Sequence, residues 1–141
     1  MRARGFWLIL ETVVAYAVPA YHWIWGVIML PLWLWGAASA ESTSIWFIAS
    51  LIGGVLGAIG VVGLLTVAIA REPVSTLNFS LLALLSCAGL LAVWAMMTGL
   101  FAGFSLDPFS LVAIVAPTAC TVHLLVLCAR LIGAEVQPFP H

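Results

Sequence analysis

Long apolar runs alternate with short polar breaks along the chain. The runs cover residues 6–36, 45–70, 78–104 and 109–133 in round terms, and the breaks read AASAESTS, REPVSTL and SLDP. A membrane-crossing helix needs about 20 mostly apolar residues, so each run predicts one span. The breaks carry residues that start and stop helices. Asp107 is placed to cap a helix with Pro108 in its first turn, where a missing N–H costs nothing. Thr43 or Ser44 is placed to cap the second span. Arg71-Glu72-Pro73 ends it, because proline pushes the residue before it out of helical geometry.

The first run, FWLILETVVAYAVPAYHWIWGVIMLPLWLWG, is long for one crossing and contains Pro19 and Pro31. A hydrocarbon layer of roughly 30 Å is crossed by fewer residues than this at 1.5 Å each. Two outcomes are expected: a tilted and kinked helix, or a helix whose end turns along the membrane surface. Trp23, Trp25, Trp33 and Trp35 favour the second, since indole rings settle at the headgroup level, and they also serve as plain anchors. Arg2, Arg4, an apolar stretch and AVPA ending at Ala20 imitate a secretory signal. Glu11 interrupts that stretch and the apolar run continues past Ala20, so the expectation is an uncleaved first span.

Composition strengthens the membrane reading. Of 141 residues, 65% are hydrophobic and 6% are charged. A soluble domain carries about 25% charged residues, so nine formal charges cannot clothe a water-facing surface. Net charge is −1, which leaves no basic patch for nucleic acid. No phosphate-binding glycine loop and no zinc spacing of Cys and His occurs. Cys87, Cys120 and Cys128 lie in apolar runs, an odd number that argues against a disulfide framework and for small apolar filling. His141 ends a short Pro-rich tail, QPFPH.

Charge placement sets an orientation. Cytoplasmic loops collect Lys and Arg. Arg2 and Arg4 precede the first span, Arg71 follows the second and Arg130 sits near the end of the fourth. An all-α integral membrane protein, a four-transmembrane-helix bundle with both termini inside, puts all four on one side. The opposite loops contain only Glu41 and Asp107. Residues 1–141 then form a single four-span domain in the bacterial inner (plasma) membrane.

The second span contains SLIGGVLGAIGVVG. Gly53, Gly57 and Gly60 follow i, i+4, i+7 spacing and share a face, which Gly54 and Gly63 widen. A face without side chains lets another backbone approach closely, and such packing drives helix association in lipid. The same flat wall would also suit a planar ligand such as a porphyrin or quinone.

Ionisable groups inside a span are costly and usually face a bundle interior. Glu11 and His22 are eleven residues apart, nearly three turns, and share a stripe with Ala15 and Val18. Cys120, His123 and Arg130 share another. In an antiparallel pairing of the first and fourth spans, His22 and His123 fall near the midpoints of their runs. Glu11 and Arg130 fall near the cytoplasmic ends. That register predicts a Glu11–Arg130 ion pair and a His22–His123 meeting. The plainer roles are a glutamate solvated by headgroups and histidines bonded to carbonyls that Pro19 and Pro117 free.

No reaction signature accompanies these residues. The sequence is read as a small non-enzymatic accessory, assembly or interaction subunit whose partners are the bilayer, other membrane subunits or further copies. Two alternatives use the polar groups. A b-type haem protein would take His22 and His123 as axial ligands between facing helices. A proton-coupled transporter would use Glu11, with Arg130 and the histidines along its ion path. In length, span count and an early membrane glutamate the chain resembles the small multidrug resistance family, although GGVLGAIGVVG does not align with that family's helices. The resemblance implies proton exchange against a cation at Glu11 and dimerisation through a small-residue face. No metal centre is expected: Cys120 and His123 lack further ligands, and Met96 and Met97 point to different sides of a helix.

Overall fold

The computed structural model describes residues 3–39, 42–71, 73–97 and 108–132. They form five helices: α1 (Ala3–Ile28), α2 (Leu30–Ala38), α3 (Ser42–Ala70), α4 (Thr76–Met97) and α5 (Pro108–Ile132). All but α2 are long and apolar enough to cross a membrane. Asp107, Glu41, Glu72, His141 and the tail lie outside the described residues, as does the expected continuation of the third span beyond Met97.

The first apolar run breaks into two helices. α1 spans 26 residues, about 39 Å at 1.5 Å per residue. It stops at Met29, whose carbonyl then starts the next helix by accepting the N–H of Trp33 at 3.3 Å. Pro31 occupies the first turn of α2, where a missing N–H is tolerated. Pro19, by contrast, stays inside α1. α2 packs against the start of α3 through Trp33, whose ring stacks on Phe47 at 4.3 Å. Trp35 remains 80% exposed.

α3 begins at Ser42, so Thr43 and Ser44 lie inside its first turn and not ahead of it. Ser44 is buried there. At the other end Arg71 adopts φ 56° and donates its N–H to Val67 O at 2.9 Å. That is the left-handed stop of a helix in a residue that adopts it at some cost, and Pro73 prevents resumption. α4 starts behind Ser75, whose hydroxyl oxygen accepts the Asn78 N–H at 3.3 Å, a cap the sequence reading passed over.

α3 and α4 are antiparallel and the most closely packed pair. As α3 advances from Gly53 through Gly57 and Gly60 to Gly63, its neighbours on α4 recede from Ala92 through Gly89 and Ser86 to Leu82. At the centre the two glycines meet main chain to main chain: a Cβ built on either Gly57 or Gly89 would lie 2.3 Å from the other's Cα. A Cβ on Gly60 would lie 2.5 Å from Ser86 N. Gly54 departs from the expected shared face. It turns toward α1, where the Trp23 ring covers it.

α5 packs against α1, α3 and α4, whereas α1 and α4 make little contact with each other. Its buried stripe of Cys120, Leu124 and Cys128 meets Leu8, Ala15, Val61, Leu64 and Ala68. Nearer its start, Ala113 and Ile114 sit among Val18, Val93 and Met96. Large apolar residues cover the outside, Leu77 at 79% exposed and Leu91 at 71% among them. The three cysteines are free thiols, Cys87 exposed and the other two buried.

Candidate functional site

The polar side chains of α1 and α5 form a ladder along their antiparallel seam. Glu11 and His123 make one rung: His123 Nδ1 lies 2.8 Å from Glu11 Oε1 and 3.1 Å from Oε2. In the next, the Cys120 thiol donates to Thr12 Oγ1 at 3.7 Å, and the Thr12 hydroxyl donates to Leu8 O at 2.8 Å. In the third, the Tyr16 and Thr121 hydroxyls bond to each other. Thr121 gives its single proton to Pro117 O at 2.8 Å, so Tyr16 is the donor between them. Threonine hydroxyls bonding back to carbonyls one turn earlier recur at Thr118, which bonds Ile114 O at 2.7 Å. This is the usual way a helix accommodates such residues without solvent.

The ladder overturns the expected register. Glu11 meets His123 and not Arg130. His22 does not meet His123: its Nδ1 lies 3.0 Å from Val18 O, one turn back on its own helix. This is the carbonyl-bonded histidine that the sequence allowed, on a different carbonyl from those near Pro19's missing N–H. The cause is the break at Met29. Taking the first run to Gly36 put its midpoint near His22, whereas α1 ends at Ile28 and its centre falls about five residues earlier. The real register matches the helix ends, and the level of Arg130 becomes that of Arg4, each seven residues from its rung of the pair. His22 lies eleven residues, about 16 Å, along α1 from the residue that holds His123. One iron cannot take both rings, so the haem alternative loses its axial pair.

The Glu11–His123 pair faces outward. Its side chains are 40% and 46% exposed, on the flank of the α1–α5 seam and about 10 Å along the helices from the arginine level. With His123 protonated and Glu11 ionised the pair is neutral overall. With both deprotonated it carries one negative charge. Among the described residues, no three His, Cys, Asp or Glu groups come together in a way that could hold a metal ion.

Behind the ladder, Thr12, Tyr16 and Trp23 of α1 line a cleft of about 350 Å³ against the glycine face of α3 and Ser86, Gly89 and Ala92 of α4. The Trp23 indole N–H donates to Leu51 O at 3.1 Å and fixes the ring over Gly54. The sequence reading missed this cleft and the small residues of α4 that form part of it. Ser86, Gly89 and Ala92 recur at helical spacing and are the available signal.

The ladder supports a graded pair of outcomes. Tyr16→Phe is expected to cost about 1 kcal/mol, because Thr121 keeps its bond to Pro117 O. Thr121→Val is expected to cost more, about 1–3 kcal/mol, because it leaves the Tyr16 hydroxyl without its acceptor. Thermal unfolding in mild detergent reads the order. Equal losses, or a larger loss for Tyr16→Phe, would assign the donor wrongly.

No family model, no curated protein and no solved structure matches the chain.

Proposed function

We propose that this chain is an integral membrane protein of the bacterial inner (plasma) membrane, with four crossings and both termini in the cytoplasm. In this reading it works as a non-enzymatic accessory, assembly or interaction subunit. The single observation that carries it is the outward-facing Glu11–His123 pair. Within a bilayer, ionisable groups are expensive where they meet lipid, and the pair stands two turns inward from the Arg4 and Arg130 level. A neighbouring membrane chain against the α1–α5 flank would take that cost away. The glycine seam between α3 and α4 serves packing inside the bundle, which leaves the α1–α5 flank as the face for partners.

The experiment is purification in mild detergent with a mass measured for the protein–detergent particle. Wild type is expected as two or more copies, or with a second membrane subunit. Glu11→Leu/His123→Leu is expected to shift the particle toward the single chain. A wild-type particle that is a bare single chain at every concentration would overturn the proposal. Tags on the two ends are expected to report from one compartment.

A proton-coupled transporter using Glu11 is the second reading, favoured by one specific feature. The carboxylate is paired with an imidazole, a ring able to hold or pass on a proton, where a guanidinium would stay charged throughout. In vesicles with an imposed pH gradient, Glu11→Gln is expected to abolish solute-dependent proton flux. Unchanged flux removes this reading and leaves the subunit reading intact.

A further inference from the structure

We infer that the cleft between α1, α3 and α4 is a binding site for one linear acyl chain. Four observations fix that chemistry. Small side chains on all three walls leave the space open: Ala20 of α1, Ala58 of α3 and Ala92 of α4 line it. The proton-bearing groups that line it already donate within the protein. Thr12 gives its proton to Leu8 O, Trp23 to Leu51 O, Ser86 to Leu82 O and Tyr16 to Thr121. An occupant is therefore offered dispersion contacts and no new donor, which suits hydrocarbon and not a polar solute. An apolar cleft of this kind accepts apolar guests.

Length and access complete the case. Thr12 and Trp23, at the two ends of the α1 wall, are eleven residues apart, about 16 Å along the helix. Half of a roughly 30 Å hydrocarbon layer is nearly the same, so the slot accepts one leaflet's depth of extended chain. It reaches the outside at Ala20, Val55, Ala58 and Val62, all exposed. Val62 is 60% exposed. The opening thus lies on the sides of the candidate spans, where a chain enters from surrounding lipid. Such a chain arrives either as a free fatty acid or as one tail of a phospholipid.

The test uses the full-length protein in detergent with two photolabels, myristate bearing a mid-chain diazirine and a phospholipid bearing the same group on one tail. Labelling is expected to map to the cleft walls on α1, α3 and α4. Ala58→Phe and Ala20→Phe, both starting from exposed positions, fill the slot from opposite walls and are expected to lose most of that label while eluting as wild type does. Labelling by one probe alone names the source, and labelling by both shows that the slot takes an acyl chain from either. Cross-links spread over outward residues such as Leu77 and Leu91, or undiminished labelling in both phenylalanine variants, would overturn the site. The inference rests on the membrane setting of the proposed function, but its readout does not depend on Glu11 or His123, so it stands or falls apart from the subunit reading.

Discussion

Gly57→Val is expected to abolish the recovery of folded protein, or to lower stability by about 3 kcal/mol or more. Overpacking a core typically costs about 1–3 kcal/mol, because neighbouring side chains shift to make room. Here there is no side chain to shift. The new Cβ would stand 2.3 Å from Gly89 Cα and 3.1 Å from Gly89 N, so relief requires moving one helix from the other. Separation at that point also opens Gly60 against Ser86 and Gly53 against Ala92, since the contacts share one register. In lipid these contacts matter more than they would in water, because apolar area alone gives helices no reason to leave the surrounding chains. Gly5→Ala is the control. Its Cβ would meet Ile69 at 3.6 Å, ordinary contact, and alanine favours a helix over glycine by about 1 kcal/mol. Unfolding in detergent should therefore separate the two variants widely. A Gly57→Val protein as stable as Gly5→Ala would mean that α3 and α4 do not meet through these glycines.

The number of long helices was legible because an apolar run of the right length leaves few alternatives, and a stop such as Arg71-Glu72-Pro73 reads from local chemistry alone. Gly53, Gly57 and Gly60 were legible as a face for the same reason: helical spacing is a property of one segment. What that face meets is a property of two. Gly54 sits beside Gly53 in sequence but lies under Trp23, because α1 and not α4 approaches there. The polar ladder failed to be read for a more specific reason. Pairing across helices depends on where each one ends, and Met29, with no strong breaking tendency of its own, ends α1 because Pro31 follows. A run that continues in hydropathy past a break in geometry misplaces every level derived from its midpoint. The right residues, Glu11 and His123, were thus singled out with the wrong partners. The cleft was harder still, since a void is marked in sequence only by small residues on several helices at once.

Replacing Glu11 and His123 singly and together is expected to show that they interact and that Glu11 and Arg130 do not. Glu11→Leu removes the carboxylate from the imidazole, and His123→Leu does the reverse. A fully buried ion pair broken on one side loses about 3–5 kcal/mol, and a water-exposed one less than about 1 kcal/mol. This pair is nearly half exposed, but in the proposed setting that flank meets a neighbouring chain or lipid, neither of which screens charge as water does. Its partial exposure places the pair between these two limits. Each single change is therefore expected to cost about 2 kcal/mol, below the buried limit. The double change to leucine leaves nothing polar uncovered and is expected to return close to wild-type stability. The resulting coupling, measured by unfolding in detergent, should approach the sum of the two single losses, about 4 kcal/mol. Arg130→Leu combined with Glu11→Leu should be additive, as changes without shared partners are. Strong coupling of Glu11 to Arg130 and none to His123 would restore the register predicted from the run midpoints. It would slide α5 along α1 by about two turns, and the Tyr16–Thr121 and Thr12–Cys120 rungs would be lost with it.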